Sequence, residues 1–331
     1  MRVAIVKISA MGDIIHAMVA LQFIKSKRED ITIDWIVEEA FAPILENNRD
    51  IDNIITVNLK ALKRNKLKIF SEIKDIKAKA KEEYDLVIDA QGLIKSALVA
   101  KIFGKNIAGF SKDSIREKLA ASFYNKKVDI DYAENSIDRN AKVIGEPLEV
   151  EITKDDILNK KPFLFYETNL DLNSCFNIFR KNIVFIIGST WASRNYPKES
   201  FAKLADMLKE NIMIAWGSEE EKKRAEWIEK NSIYAKVLPK LDLNSLKETI
   251  DRSDLVIGND TGPTHMAWAM NRKSITIFGP TPTNRVYETK INRVIKSSSK
   301  VNPYKLNKKD FSIREIEPEA IYEIAKELLY K

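Results

Sequence analysis

Segments with the pattern of buried strands alternate with segments long enough for helices along most of the chain, and this alternation constrains the fold more than any other feature. Parallel sheets covered by helices on both faces are the usual outcome of such a pattern. The alternation occurs in two series, so the sequence predicts an α/β fold with two doubly wound, Rossmann-like domains. The strand candidates are VAIVKI (3–8), ITIDWIV (31–37), NIITV (53–57), DLVIDA (85–90) and NIAGF (106–110) in the first series, and NIVFIIG (182–188), IMIAWG (212–217), AKVLP (235–239), DLVIGND (254–260) and KSITIFG (273–279) in the second.

The rhythm of strands and helices is interrupted between residues 145 and 181. A chain of 331 residues is long enough for two domains that each bury a core. We expect an N-terminal domain over residues 1–165, a C-terminal domain over residues 175–315, and a final helix over residues 316–331 that packs back on the N-terminal domain. The two domains are expected to face each other across a cleft at the carboxyl ends of their strands, where open α/β sheets bind ligands.

The chain has a moderate basic excess, since 55 lysine and arginine residues against 48 acidic residues give a net charge of +7. Much of this excess lies in LKALKRNKLK (59–68) and KVNPYKLNKK (300–309). Neither run belongs to an aromatic-interleaved RNA motif or a helix-turn-helix, so we expect no nucleic-acid partner. Two alternatives stay open: lysines that are simply solvated, and a patch that attracts an anionic substrate or a membrane surface.

Cysteine and histidine are scarce. The single cysteine, Cys175, excludes an intramolecular disulfide, and together with two histidines it leaves little material for a zinc site. No secretory signal is recognisable before the first strand candidate, and no apolar run approaches the roughly 20 residues of a membrane-spanning helix. These features predict a cytoplasmic protein.

The turn after the first strand, in KISAMGDIIHA (7–17), has one glycine followed by a carboxylate, Asp13. An NAD(P)-dependent enzyme of this fold would have G-x-G-x-x-G here, and a carboxylate at a helix N-terminus would repel a dinucleotide phosphate. A dinucleotide-binding role is therefore disfavoured. Asp13 is either the N-terminal cap of the following helix or a general base. His16, on the apolar face of that helix, fits a packed side chain better than a catalytic one.

The most informative turn is NDTGP, in DLVIGNDTGPTHMAWAM (254–270), between a buried strand and a helix. The first N–H groups of a helix have no intrahelical partner and can bind an anion, and Gly262 lets the backbone approach a phosphate closely. Pro263 fits the first helical turn, and His265 would add a donor from within it. The sequence therefore suits a diphosphate site that includes Thr261, although a capped core helix explains the same residues.

The segment NDTGPTH (259–265) resembles the D-T-G-x-x-H signature of glycosyltransferase family 9, the lipopolysaccharide heptosyltransferases. MRVAIVKISAMGDIIHA (1–17) resembles the N-terminal signature of the same family, with its K-x-S-x-x-G-D. Three further segments resemble the heptosyltransferase I branch of that family: WIVEEAF (35–41), YDLVIDAQGLIKSALVAKIFG (84–104) and REKLAASFYNKK (116–127). The resemblance runs through most of the chain and is weakest at residues 135–180.

The resemblance implies a two-domain GT-B glycosyltransferase whose N-terminal domain binds the acceptor and whose C-terminal domain binds ADP-heptose. It implies transfer of L-glycero-D-manno-heptose to the inner Kdo sugar of Kdo-lipid A, with inversion at the anomeric carbon and without a cofactor or an essential metal ion. Such an enzyme works at the inner leaflet, in peripheral contact with the cytoplasmic face of the inner membrane. The alternatives are a member of the family that acts on a later core position and a non-catalytic sugar-nucleotide-binding protein.

The resemblance also implies roles for individual residues. Asp13 matches the proposed catalytic base of the family. Where relatives have lysine in K-x-W-P, this chain has RNYP (194–197), so Arg194 is expected to neutralise the departing diphosphate as a planar fork instead of a point charge. The remaining donor-binding positions are Ser189 and Thr190 near the phosphates, Glu221 at the ribose, Leu241 beside the adenine, and Asp260, Thr261, Gly262 and His265 around the sugar and diphosphate.

The implied acceptor is anionic, because lipid A has phosphates and Kdo has a carboxylate. Lys60, Lys63, Arg64 and Arg116 are therefore candidate acceptor contacts in the N-terminal half of the chain. A solvated surface explains each of these residues equally well, since charge runs on surface loops are common.

Overall fold

The structure is a computed structural model and describes residues 1–59 and 69–331. The chain divides into two compact units, Met1–Phe163 and Leu164–Lys331. Each unit has its own sheet, and the two are described separately below.

The segment that the sequence analysis left between its two domains belongs largely to the second unit. Residues 166–174 fall within that unit, and two hydrogen bonds hold them to its helix 243–251. The Tyr166 hydroxyl donates to the Asp251 carboxylate at 2.9 Å, and the Glu167 N–H donates to the Asn244 side chain at 3.0 Å. These contacts join residues far apart in sequence, so the broken strand rhythm alone did not reveal them.

Both units are built on parallel sheets. The strands are β1 (Arg2–Val6), β2 (Thr32–Glu38), β3 (Asn53–Val57), β4 (Leu86–Asp89), β5 (Ile107–Phe110) and β6 (Lys126–Val128) in the first unit, and β7 (Asn182–Ile186), β8 (Asn211–Ala215), β9 (Ala235–Val237), β10 (Leu255–Asn259), β11 (Ser274–Phe278) and β12 (Asn292–Lys296) in the second. The sheet order is β3-β2-β1-β4-β5-β6 in the first unit and β12-β11-β10-β7-β8-β9 in the second. Counted from the first strand of each unit, both orders are 3-2-1-4-5-6, which is the doubly wound arrangement. The predicted fold class is confirmed.

Helices cover the sheets, as the predicted connections between parallel strands require. The α-helices of the described residues are α1 (Met11–Lys27), α2 (Ala42–Leu45), α3 (Ile69–Lys79), α4 (Ile94–Phe103), α5 (Ser136–Gly145) and α6 (Lys154–Leu158) in the first unit, and α7 (Lys198–Leu208), α8 (Glu219–Asn231), α9 (Leu243–Asp251), α10 (Gly262–Ala269) and α11 (Pro318–Tyr330) in the second. Short 3₁₀ turns lie in several of the connecting loops, and two of them carry residues of the candidate site.

The sequence analysis missed the two strands β6 and β12. Both lie at the edge of their sheet, and neither has an uninterrupted buried run. Lys126 and Lys127 make up most of β6 and are exposed, while β12 (NRVIK) is only partly buried along its length. Strand prediction from apolar runs works best for central strands that are buried on both faces. The other two edge strands, β3 and β9, still have short apolar runs and were predicted, whereas β6 and β12 lack that signal.

The last helix, α11, contributes to the core of the second unit. Its apolar side chains belong to a cluster that also contains Phe201 from α7 and Ile257 from β10. Packing of residues 316–331 on the N-terminal domain stays a prediction. The buried core members from this last segment of the chain are Ile316, Ile321, Ala325, Leu328 and Leu329.

Helix α1 is the longest of the described helices, with 17 residues, and it packs against α5 in the first unit. Its buried residues include Ile14, Met18 and Leu21. None of the helices that the structure describes is long and apolar enough to cross a membrane.

Candidate functional site

The turn between β10 and α10 holds a buried carboxylate, Asp260, that is bonded on both oxygens. Its Oδ1 lies 3.1 Å from Nε2 of His265. Its Oδ2 accepts from Nη2 of Arg194 at 3.0 Å and from the Thr281 hydroxyl at 2.7 Å. Asp260 is 1% exposed. The structure thus brings together three predicted site residues and adds Thr281. Asp260, Arg194 and Thr281 lie in loops that follow strands of the second sheet, and His265 lies in the first turn of α10.

Burial and charge act in opposite directions on the Asp260 carboxyl. Burial alone raises its pKa, but the hydrogen bond with His265 and the positive charges of Arg194 and Arg285 hold that pKa well below its usual range. Asp260 is therefore ionised at neutral pH. A carboxylate with such a low pKa is a poor general base, so its chemical use is to hold and orient the cations around it.

Thr261 and Gly262 open α10, a helix of eight residues whose first N–H groups have no intrahelical partners. Thr261 is the N-cap, and its own side chain makes no capping hydrogen bond. The helix packs tightly on β10, because a Cβ at Gly258 would lie 2.7 Å from the Thr264 hydroxyl. That hydroxyl donates to the Asn259 carbonyl at 2.7 Å. The turn therefore presents the positive end of a helix beside Arg194, which suits an anionic group.

Ser189 and Thr190 lie in the loop that follows β7, and Arg194 ends a 3₁₀ turn in the same loop. Thr190 is exposed. The Ser189 Oγ is buried and has no hydrogen-bond partner in the part of the chain that the structure describes. A buried hydroxyl in this state is suited to a bound oxygen atom. The Arg194 guanidinium carbon lies 5.5 Å from the ring centre of Trp191.

The side chain of Asn259 fastens the same loop to β10. Its Oδ1 accepts from the Tyr196 N–H at 3.0 Å, and its Nδ2 donates to the Ile187 carbonyl at 2.9 Å. The buried Tyr196 hydroxyl in turn donates to the Ile316 carbonyl at 2.7 Å. Arg194 is therefore placed by a loop that is bonded at both ends.

Glu221 lies in the first turn of α8, close to the loop after β7. Its carboxylate accepts from the Gly217 N–H at 2.7 Å. A Cβ at residue 188 would collide with the same carboxylate, so only glycine allows this approach. Glu221 therefore lies next to Gly188, the residue that precedes Ser189.

Leu241 is half-buried and lies in the loop between β9 and α9. Before it, the Leu238 carbonyl accepts from the indole Nε1 of Trp216 at 2.8 Å. The ammonium groups of Lys222 and Lys240 lie 5.4 Å and 5.9 Å from the centre of the Trp216 ring. The loops after β8 and β9 thus place an aromatic ring and two cations close to the predicted adenine position.

Asp13 lies in the first unit, at the start of α1. The helix begins at Met11, so Ala10 is the N-cap and Asp13 is the third helical residue. The interpretation of Asp13 as the N-cap was therefore wrong, because the cap lies three residues earlier, at Ala10. The half-buried Asp13 carboxylate accepts from the Ala10 N–H at 3.2 Å. His16 is 3% exposed and lies among the packed residues of α1.

The acceptor contacts and the absence of a metal ion stay predictions. Lys60, Lys63 and Arg64 lie outside the described residues, and Arg116 is exposed on the first unit. Within residues 1–59 and 69–331, no group of three or more His, Cys, Asp or Glu side chains is placed to hold a metal ion.

Sequence reasoning missed two residues around Asp260. Thr281 and Arg285 both lie in GPTPTNR (279–285), the loop that follows β11. The available signal was the polar turn after a buried strand, since carboxyl ends of adjacent parallel strands meet at one edge of the sheet. Thr281 reaches Asp260 because β10 pairs with β11, and this pairing cannot be deduced from the sequence.

Comparison with known proteins gives a consistent result. The family model "Glycosyltransferase family 9 (heptosyltransferase)" matches residues 73–316. Lipopolysaccharide heptosyltransferase 1 of Campylobacter coli is 38% identical, over 99% of this chain and 99% of the relative. The protein of the same name from Escherichia coli K12 is 32% identical, over 93% of this chain and 97% of the relative.

Solved structures agree with these sequence matches. The structure of E. coli heptosyltransferase WaaC with ADP has a TM-score of 0.82 and 26% identity, and the match covers 99% of this chain and 100% of that one. The structure of WaaC with ADP-2-deoxy-2-fluoro heptose has a TM-score of 0.80 at the same identity, with 99% of each chain covered.

Proposed function

This chain belongs to glycosyltransferase family 9, and from that premise we propose that it transfers L-glycero-D-manno-heptose from ADP-heptose to the inner Kdo of Kdo-lipid A, with inversion at the anomeric carbon. The observation that carries the proposal is the 38% identity with a lipopolysaccharide heptosyltransferase 1 along 99% of both chains. A match of that extent includes the acceptor half as well as the nucleotide half, so it supports the acceptor together with the donor. The two Rossmann-like units are those of the GT-B fold.

The second unit binds the donor. The diphosphate lies at the first N–H groups of α10, where Thr261 and Gly262 supply backbone donors and the helix supplies its positive end. Arg194 is held by Asp260 through its Nη2 and brings its positive charge to the phosphate oxygens. The remaining donor contacts are the Ser189 and Thr190 hydroxyls at the phosphates, His265 at the sugar and diphosphate, Glu221 at the ribose and Leu241 beside the adenine.

The reaction needs a base, a rigid hold on the donor and stabilisation of the departing charge. Asp13 takes the proton of the acceptor hydroxyl as its oxygen attacks the anomeric carbon. The bond from that carbon to the phosphate oxygen breaks, and ADP leaves with the electron pair. Arg194 and the N–H groups of α10 stabilise the negative charge on ADP, while Asp260 favours the positive charge that develops on the sugar.

No cofactor or metal ion takes part in this proposal, because Arg194 and the N-terminus of α10 supply the positive charge that the leaving diphosphate needs. Activity that survives exhaustive treatment with EDTA supports this point. Activity that EDTA abolishes and Mg²⁺ restores contradicts it.

The acceptor is reached at the membrane. Lipid A phosphates and the Kdo carboxylate are anionic, and the net charge of +7 favours their approach to the protein. Lys60, Lys63, Arg64 and Arg116 are the proposed contacts in the first unit. The protein then works at the cytoplasmic face of the inner membrane, bound peripherally to its surface.

The deciding experiment measures ADP release from ADP-heptose with and without Kdo-lipid A, together with the mass of the lipid product. We expect release that depends on Kdo-lipid A and a product heavier by one heptose residue. Release that occurs only with an acceptor that already contains heptose indicates a later core position. Binding of ADP-heptose without any release, on every acceptor, indicates a non-catalytic sugar-nucleotide-binding protein.

A further inference from the structure

The loop that precedes α1 is held between two side chains of the first unit. The Oε1 of Gln91 accepts from the N–H of Ile8 at 3.1 Å and from the N–H of Ser9 at 3.0 Å. The next N–H along the chain, that of Ala10, donates to the Asp13 carboxylate at 3.2 Å. Since the three N–H groups are consecutive, the Gln91 amide and the Asp13 carboxylate are bonded to neighbouring peptide groups of one short loop.

Gln91 is itself held rigidly by the turn that follows β4. The N–H groups of Gln91 and Gly92 both donate to Oδ1 of Asp89, at 2.9 Å and 3.2 Å. Gly92 has a φ of +69°, and a Cβ there would lie 2.8 Å from the Ile115 side chain. The other Asp89 oxygen accepts from the Tyr124 hydroxyl at 2.8 Å. The turn is therefore fixed from both sides, and the Gln91 amide has a fixed direction.

The other half of this amide is its nitrogen, Nε2. No group within residues 1–59 and 69–331 accepts from Nε2 of Gln91. Gln91 is half-buried, so its two N–H donors are accessible while its oxygen is occupied. A clamped amide with unused donors, beside a half-exposed carboxylate, is an arrangement that can receive a polar group of a ligand.

We propose that Gln91 is an acceptor-binding residue, whose Nε2 donates to the carboxylate of the acidic acceptor sugar while its Oε1 fixes the loop that precedes Asp13. The inference rests on the proposed function, because it names a contact to the same acceptor. Gln91 then binds an anionic oxygen of the sugar, and Asp13 accepts the proton from the hydroxyl of the same sugar. A site that hydrogen-bonds a substrate in this way loses affinity when its donor is removed.

The chain contains a matched control for this residue. Its two glutamines are Gln22 and Gln91. The Oε1 of Gln22 accepts from the Lys161 N–H at 2.9 Å, and its Nε2 donates to the Lys161 carbonyl at 3.3 Å. Both ends of Gln22 are therefore used within the protein, whereas only one end of Gln91 is.

The test compares three variants of the full chain. Gln91→Glu keeps an oxygen for the Ile8 and Ser9 N–H groups but replaces the donors with a negative charge, which repels an acidic sugar. We expect the KM for Kdo-lipid A to rise by about tenfold or more, with the KM for ADP-heptose and the melting temperature nearly unchanged. Gln91→Met also removes the oxygen, so kcat should fall in addition. Gln22→Glu should leave both KM values at those of the parent.

A purely structural role of Gln91 predicts a different result, in which Gln91→Glu keeps the parental KM for Kdo-lipid A or raises both KM values equally. Either outcome overturns the inference. Direct binding of Kdo-lipid A to the parent and to Gln91→Glu, measured without ADP-heptose, separates this inference from the proposed function. A parent that binds the acceptor but releases no ADP rejects the transfer reaction, while the difference in affinity still decides the role of Gln91. A parent that does not bind Kdo-lipid A rejects both.

Discussion

The two units place a buried carboxylate at the same point of the same topology. Asp89 is the last residue of β4 and Asp260 directly follows β10, and each of these strands is the fourth of its unit. Each lies between the first and fifth strands of its sheet. Asp89 is 0% exposed and Asp260 is 1% exposed.

The partners of the two carboxylates differ in charge. Asp89 is bonded to neutral groups, namely two backbone N–H groups and the hydroxyls of Ser96 and Tyr124. Burial raises the pKa of Asp89, and these neutral hydrogen bonds oppose the rise without cancelling it. Asp260 experiences the same burial, but His265 and Arg194 hold its pKa below the usual range.

The comparison shows that a buried carboxylate at the end of the fourth strand has a different role in each unit. In the first unit the buried carboxylate organises the turn of Gln91, and the residue proposed for chemistry is the half-exposed Asp13. In the second unit the buried carboxylate itself holds the cations that we propose to contact the anionic donor. The first unit builds its site from hydrogen bonds to the backbone, and the second builds its site from charge.

The largest expected effect compares Asp260→Asn with Asp89→Asn. Asp260→Asn leaves Arg194 buried without its carboxylate, and breaking a buried pair from one side typically costs about 3–5 kcal/mol. Asp89→Asn keeps an oxygen for both N–H groups and leaves no charged partner unpaired, so we expect a change within about 1 kcal/mol. Urea unfolding of both variants, followed by circular dichroism, gives the two free energies.

A charge pair outside the site serves as the control for this comparison. Lys181 and Asp254 are 3.4 Å apart, and their side chains are 44% and 34% exposed. Because an exposed pair contributes little, Asp254→Asn should change the free energy of unfolding by less than about 1 kcal/mol. Equal losses for Asp260→Asn and Asp89→Asn would remove the electrostatic distinction between the units.

The next effect concerns Asp13, where removal of charge should affect chemistry and not stability. Asparagine retains an oxygen for the Ala10 N–H but cannot accept the acceptor proton. We expect Asp13→Asn to fold and to bind ADP-heptose as the parent does, with turnover lower by at least about 10²-fold. Steady-state kinetics and calorimetric titration with ADP-heptose check the two parts. Turnover within a few-fold of the parent would place the base elsewhere.

A smaller effect is expected at Arg194, where the chain departs from the lysine of its relatives. Arg194→Ala should lower kcat/KM by on the order of tenfold to 10²-fold, because the departing diphosphate loses a cation. Arg194→Lys should stay within a few-fold of the parent, since a point charge still meets the phosphates. Kinetics with varied ADP-heptose measure both, and Arg314→Ala, an exposed arginine of the second unit, is the control. Equal and negligible effects of both Arg194 substitutions would limit this residue to its structural pairing with Asp260.

The central strands and the fold class could be predicted because their signal is local. A parallel strand buried on both faces is a continuous apolar run, and each of the ten predicted runs became a strand, including the edge strands β3 and β9. The helical spacing of Ile321, Ala325 and Leu328 likewise indicates a buried face on the last helix. It does not say which core receives that face, because that depends on the packing of distant segments.

The candidate site was likewise predictable where its residues are close in sequence, and not where they come from distant loops. The turn NDTGPTH located Asp260 and His265 through its own sequence. The lowering of the Asp260 pKa comes from the hydrogen bond with His265, in the same segment, and from Arg194 and Arg285, which lie in other loops and meet the carboxylate only in the folded chain. Gln91 lies in the segment 84–104, which resembles the family, but the sequence predicted no role for it. Its partners Ile8 and Ser9 lie 83 and 82 residues away.

The last expected effect is a pH dependence of the free energy of unfolding, which should arise in the first unit and not from Asp260. Lys160 is 6% exposed, and burial lowers its pKa to about 7. The unfolded lysine has a pKa of about 10.4 and so binds more protons than the folded one between pH 7 and pH 10. Raising the pH through this window therefore stabilises the fold, by at most about 1.4 kcal/mol per pH unit, and the gain is lost as the pH falls back to 7.

Asp260 has the opposite titration, since its stabilising charge is fully present above about pH 4 and is lost only as the pH falls through its lowered pKa. It therefore contributes no slope between pH 7 and pH 10. Lys160→Met removes the titrating group but keeps an apolar stem of similar length, so its urea-unfolding free energy should rise less steeply with pH than that of the parent. Parallel curves for the two proteins would mean that Lys160 titrates at its ordinary pKa in the folded chain. Any rise in the free energy of unfolding between pH 7 and pH 10 would then have to come from another group.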